Sequence, residues 1–450
     1  MIAIAGGGIS GLTAAYYLSK AGLPFTLFES RSRLGGVIET ECVKGCAVEA
    51  GPDSFLASKP WAFELIGELG LADQVIGSND SLRKTYIWKK GRLVPMPEGL
   101  QMIAPTRIGP LLRSPLFSAA AKFQMARELF RRPKDFPDRS VADFVGDHFG
   151  QESVEYLAEP LLAGVYGGDC GALSAPSVLP KFVAYEKKYG SITRGILAER
   201  KPEHEVTPVF QTLKGGMEQL TGALRGWLRV SPRGTIVHQK VETVERHSEG
   251  YRLRAGGDFT IVNKLLLACG AQDSGQILET LDPALAALLR SIPYTSATVV
   301  ALGFARTEIR HPLNGFGFLV PRRERRSVMA CTWVGTKFSH RVPPGLALLR
   351  CFIAGAPSPS DATVAAETLD DLKRIMGIHA TPIFERVFRW PNSMAQYTVG
   401  HRERIREIEA RLEGWPGLHL AGNGYHGIGI PDCVRLAKQC AERIATIGSC

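Results

Sequence analysis

The chain has 450 residues, 45% of them hydrophobic and 22% charged, enough for a large core in two or three domains, which excludes a disordered chain. Its 54 Lys and Arg outnumber 44 Asp and Glu for a formal charge of +10, so a polycarboxylate substrate or an acidic membrane surface suits it better than a cationic partner. No compact Lys/Arg run interleaved with aromatics marks a nucleic-acid interface, and no apolar run reaches the roughly 18 residues of a membrane span.

Residues 1–5 read as a short apolar strand that breaks at once into Gly6-x-Gly8-x-x-Gly11. Leu12, Ala15, Leu18 and Ala21 then recur at helical spacing, and Gly22 closes the helix. A second apolar run, residues 25–28, ends in Glu29. This order of strand, glycine turn, helix, strand and acid is that of a dinucleotide-binding unit. The glycines allow a tight turn, a bare backbone under a pyrophosphate, and a close helix; the helix end attracts the phosphates. Glu29 is placed to accept from both hydroxyls of an unphosphorylated ribose. Arg31, Arg33 and the pair Gly35-Gly36 follow, a second glycine turn suited to a longer ligand lying over the first helix.

Further along, the segment Gly51-Pro52-Asp53-Ser54 is turn-rich, and Thr85-Tyr86-Ile87-Trp88 reads as a strand. Residues 93–192 mix apolar, proline-punctuated stretches with arginines, which suits either a surface resting on anionic lipid or a helical cap over a substrate cavity. Runs at 298–305, 316–320 and 346–353 read as strands of an antiparallel sheet in a second domain, with helices at 363–376 and 402–412. The chain closes with Leu418-His419-Leu420, a glycine-rich stretch through Ile428-Gly429-Ile430, and a last helix whose positive end could face the cofactor. Nine scattered cysteines lack zinc spacing, so reduced thiols in a cytoplasmic protein and no metal site are expected; a strand at the very start leaves no room for a signal peptide.

The signature at 6–36 resembles the FAD-binding signature of the amine oxidase and phytoene desaturase superfamily. Within it, GGGISGL (6–12), SRLGGVI (32–38), GPDS (51–54), GVYGGD (164–169), GFGFLVP (315–321), QYTVGH (396–401) and AGNGYHGIGIPDC (421–433) resemble the oxygen-dependent, FAD-containing protoporphyrinogen oxidase family. That resemblance implies an α/β fold with three parts. They are a Rossmann-like, p-hydroxybenzoate hydroxylase-like FAD domain (1–72, 205–271, 415–450), a mixed-sheet substrate domain (73–80, 193–204, 272–414) and a helical, membrane-facing domain (81–192).

It further implies non-covalent FAD held by Gly6, Gly7, Gly8, Ile9, Ser10, Gly11, Glu29, Ser30, Arg33, Gly35, Gly36, Gly51, Pro52, Asp53, Ser54, Val241, Trp390, Ile428, Gly429 and Ile430. Phe316, Gly317, Phe318 and Leu319 would line the substrate side, with Phe352 and Met394 nearby. The family often sets an arginine against a substrate propionate just before the aromatic strand; that position is Thr85 here, with Lys84 beside it as the candidate anchor.

The implied reaction is oxidation of protoporphyrinogen IX by O2 with release of hydrogen peroxide, with coproporphyrinogen III as the alternative substrate. Amine or carotenoid oxidation, or a flavin-free binding module, are the rivals. No catalytic base is assigned; His401 and His426 read as structural. A homodimer, peripheral contact with an anionic membrane and hand-off of product to a chelatase complete the implied partners.

Overall fold

A computed structural model of the chain describes residues 1–200, 208–355 and 360–446. Its N-terminal part is built on five parallel strands in the order Gly234–Val237, β2 (Phe25–Phe28), β1 (Ile2–Ala5), Lys264–Leu267 and Leu418–Leu420. Strands covered on both faces carry unbroken apolar runs, which is why β1 is Ile-Ala-Ile-Ala and buried throughout. Helix α1 (Ile9–Lys20) crosses from β1 to β2 and packs against the C-terminal helix Ile430–Thr446. Segments far apart in sequence thus meet in one nucleotide-type sheet.

The second sheet has seven strands: Phe384–Ala395, Tyr294–Ala305, Leu346–Ile353, Val328–Trp333, Gly317–Leu319, Thr85–Lys89 and Arg92–Pro95. Neighbours run antiparallel except Gly317–Leu319 against Thr85–Lys89, which is parallel. That one parallel pair makes the sheet mixed, and no hairpin constrains it because its strands are far apart in the chain. Residues 85–95, grouped with the helices on sequence, belong to this sheet; Lys90 and Gly91, both at positive φ, make the two-residue turn that keeps them there.

Register decides what each sheet face carries. Phe318, Cys331, Cys351 and Val300 lie in line across four strands and form, with Trp333 and Phe304, an outer core under helix Asp361–Met376. One residue along, Leu319, Ala330, Phe352 and Val299 line up on the opposite, inner face. A helical part, from Ile108–Arg113 to Ile192–Ala198, rests against this inner face at Ile87 and Leu319 and has its own core around Phe144, Phe149 and Leu157.

Candidate functional site

The phosphate cradle begins where β1 ends. A Cβ on Gly11 would lie 1.8 Å from the Gly6 carbonyl oxygen, so only glycine lets α1 start this close to the strand. At Gly8 the nearest atom to such a Cβ, beyond its chain neighbours, is Gly36 Cα at 3.9 Å. Protein packing leaves that space open, and glycine there serves a ligand that must touch the backbone. No side chain caps α1 at Gly8, so the N–H groups of Ile9, Ser10 and Gly11 form an anion seat at its positive end. The packing of α1 along the C-terminal helix brings a second positive helix end, at Ile428, Gly429 and Ile430, to the same place.

Glu29, 9% exposed, closes one end of this cradle. Its Oε2 accepts the Gly7 N–H at 2.7 Å, and its Oε1 accepts the Arg31 N–H at 2.8 Å and the Ser30 hydroxyl at 3.2 Å. Lone pairs remain for ribose hydroxyls. Arg33 turns inward, donating to the carbonyls of Ile38 at 3.0 Å and Gly36 at 2.5 Å; it fixes the Gly35-Gly36 turn facing Gly8. Val241 is buried in the core of the nucleotide part. These residues fit an FAD-sized dinucleotide.

The other lip is residues 49–54, pressed onto the inner sheet face. A Cβ on Gly51 would sit 1.9 Å from the Val37 carbonyl oxygen, so this glycine, expected at the flavin, is also required by the protein's own packing. Trp390 Nε1–H donates to the Ala50 carbonyl at 2.8 Å, and the Arg31 guanidinium lies 5.6 Å above its indole. Next to Pro52, Asp53 pairs with Lys337 at 3.0 Å and accepts the Ser54 hydroxyl at 2.7 Å. Burial pushes the Asp53 carboxyl up, but the Lys337 ammonium and Arg350 guanidinium outweigh it and hold the group below the usual carboxylate range. Arg350 also donates to the Glu49 carbonyl at 2.9 Å and to that of Gly51. Arg341, 1% exposed, pairs with the Glu49 carboxylate at 2.5 Å.

Of the residues assigned to the substrate, Thr85, Gly317, Leu319 and Phe352 share the inner face by register. Met394 joins them: its sulfur lies 3.2 Å from the Cβ position of Gly167, as Leu319 Cδ2 lies 3.8 Å from that of Gly164. Gly167, just beyond helix Glu159–Tyr166, is the tight position, while at Gly164 the distance is that of ordinary contact with the sheet. Phe316 is buried, its N–H donating to the Lys84 carbonyl at 2.8 Å. One expectation is corrected here. Phe318, 1% exposed, belongs to the outer core, because strand alternation turns it away from Gly317 and Leu319. Lys84 is exposed and lies two positions from Tyr86, which packs into that same outer core.

Sequence reasoning missed Lys337, Arg341 and Arg350. The signal for Arg350 was present: one arginine in the apolar strand LALLRCFI must find buried partners. His401 is buried, stacked on Tyr397 at 4.0 Å, with Nε2 donating to the Tyr425 carbonyl at 3.2 Å. Burial holds it neutral, its pKa lowered to about 4. His426 is exposed and pairs with Glu409 at 2.9 Å. Among the described residues no group of three or more His, Cys, Asp or Glu is arranged to hold a metal ion, and no cysteine forms a disulfide.

A family model described as flavin containing amine oxidoreductase matches residues 9–445. The chain is 34% identical to the coproporphyrinogen III oxidase of Bacillus subtilis (strain 168), over 99% of this chain and 98% of that protein. It is 30% identical to the coproporphyrinogen III oxidase of Propionibacterium freudenreichii, over 98% and 90%. A crystal structure from Exiguobacterium sp. 255-15, provisionally assigned as a protoporphyrinogen oxidase, superposes with a TM-score of 0.87 at 31% identity, covering 99% of this chain and 98% of that one.

Proposed function

This chain belongs to the flavin-containing amine oxidoreductase family and is an FAD-dependent oxidoreductase; from that premise we propose that it oxidises a porphyrinogen to the porphyrin, with O2 as final acceptor and hydrogen peroxide as product. The single observation that carries the reading is the near full-length match to porphyrinogen oxidases. An apolar inner sheet face set against the dinucleotide cradle supports it. Of the two substrates the motifs admit, coproporphyrinogen III is favoured over protoporphyrinogen IX, since the curated relatives quoted carry its name and its four carboxylates suit a chain of charge +10.

Bound FAD would supply acceptance of the hydride equivalents that leave the macrocycle in three two-electron oxidations. The chain's own residues do the rest. The uncapped start of α1 holds the pyrophosphate, Glu29 the ribose, and the segment 49–54 with Trp390 carries the flavin end. Leu319, Ala330 and Phe352 offer the macrocycle an apolar floor that keeps water from the reacting C–H. The test is aerobic incubation with each porphyrinogen, following porphyrin fluorescence. Coproporphyrinogen III should be oxidised well above the rate in air alone; if neither porphyrinogen is, the reading fails.

A second reading concerns where the protein works. Ile108, Leu112, Phe123 and Phe130 are 66%, 60%, 67% and 83% exposed, set among Arg107, Arg113, Lys122, Arg127 and Arg131. Lys122 Nζ donates to the Leu112 carbonyl at 2.7 Å, joining helix Ile108–Arg113 to helix Ala119–Arg127, which carries Phe123. Apolar side chains ringed by cations favour peripheral docking on an anionic membrane from the cytoplasmic side. No helix among the described residues is long and apolar enough to cross a membrane.

A further inference from the structure

The lip that carries the flavin end in the reading above is clamped to the sheet by an ionic cluster with unequal charge. Its carboxylates are Glu49 and Asp53; its cations are Lys337, Arg341 and Arg350. Glu49 and Arg341 neutralise each other at 2.5 Å, both almost wholly buried. Asp53 then faces two cations, Lys337 Nζ at 3.0 Å and Arg350 at 3.9 Å. One positive charge is left over. The surroundings are dry: Lys337, Asp53 and Arg350 side chains are 11%, 18% and 3% exposed. An unmatched charge in such a place is costly on its own and acts over a longer range than at a surface. Aromatic rings line the cluster, with Lys337 Nζ 4.8 Å from the Phe210 centroid and the Arg350 guanidinium 4.7 Å from that of Phe352, a residue of the inner face.

We propose that the excess positive charge of the Asp53, Lys337 and Arg350 cluster tunes the flavin, raising its reduction potential by stabilising the negative charge the ring gains when reduced. Lys337 is the positioning residue of this device: it sets the charge and holds the 49–54 lip by its bonds to Asp53 and Ser54. The inference rests on FAD binding at this lip. It differs from a purely structural role, because a clamp depends on the ion pair being intact whereas an electrostatic device depends on net charge.

Charge substitutions separate the two. The two-electron midpoint potential of the bound flavin is measured in wild type, Lys337→Met, Asp53→Asn and the double variant, with FAD content checked by absorbance. Lys337→Met should lower the potential by about tenfold in the equilibrium constant, about 30 mV. Asp53→Asn should raise it by a similar amount, and the double variant should return close to wild type. Single variants that shift together or not at all, or a double variant displaced as far as Lys337→Met, overturn the proposal. Wild-type protein that takes up no FAD overturns the reading beneath it as well; FAD-loaded protein whose potentials ignore charge overturns this inference alone.

Discussion

Glu29 accepts one bond at each carboxylate oxygen from a backbone N–H group, so its rotamer is set before a ribose arrives. Glu29→Gln keeps the shape but loses charge-assisted bonds of about 1.5–3 kcal/mol. FAD affinity of the apoprotein, by flavin fluorescence titration, should drop about tenfold or more; unchanged affinity would remove Glu29 from the ribose. His401 makes a prediction about pH. Its pKa lies near 4 in the folded chain against an ordinary 6.5, and its Nδ1 has no partner. Above pH 6.5 both states are neutral and the contribution to stability is complete. As pH falls from 6.5 to 4 the unfolded chain alone takes the proton, and stability drops by about 1.4 kcal/mol per pH unit before levelling off. Urea unfolding at pH 7 and pH 5 should show His401→Phe spared about 2 kcal/mol of the loss seen in wild type. An identical loss would mean that His401 titrates normally.

Among elements, β1, α1 and β2 were fully legible, because glycine turn, helical period and terminal acid are all local signals. The direction of Phe318 was not. Gly317–Leu319 is covered on both faces, so its apolar run has no period to show which side faces the site. For Arg350 the apolar strand marked a buried partner but not which one, and Lys337 carried no mark at all: both reach Asp53 from elements hundreds of residues away, where no spacing rule operates. Helix packing in the part over the sheet was equally silent. There His148, fully buried, bridges Glu128 at 3.2 Å and Glu186 at 2.8 Å, while Glu128 also accepts the Ser191 hydroxyl at 2.8 Å. Helices Val141–Phe149, Pro180–Tyr189 and Ile192–Ala198 thus share one polar knot. His148→Ala leaves two buried carboxylates short of a partner, a loss of about 3–5 kcal/mol. Hydrogen exchange should quicken at residues 141–149 and 180–198 while the five-stranded sheet stays protected; unchanged exchange there would contradict the knot.

On the scale of the whole molecule, net charge and exposed apolar groups point the same way. The segment read on sequence as either a lipid-facing surface or a cap packs on the sheet at Ile87 and Leu319 and leaves Ile108, Leu112, Phe123 and Phe130 exposed. Flotation with vesicles rich in anionic phospholipid should retain the protein, less so at high salt, and Phe123→Ser with Phe130→Ser should release it while porphyrinogen oxidation persists. Protein that never floats removes the membrane from the account. In the proposed function, reducing equivalents pass from a porphyrinogen at the inner face to a flavin held by the cradle and the lip. Anaerobic titration of the purified protein with coproporphyrinogen III tests this most directly. The flavin's visible band should bleach as porphyrin fluorescence rises and should return, with peroxide, when O2 is admitted; protein without flavin, or flavin that the porphyrinogen leaves oxidised, would contradict the account.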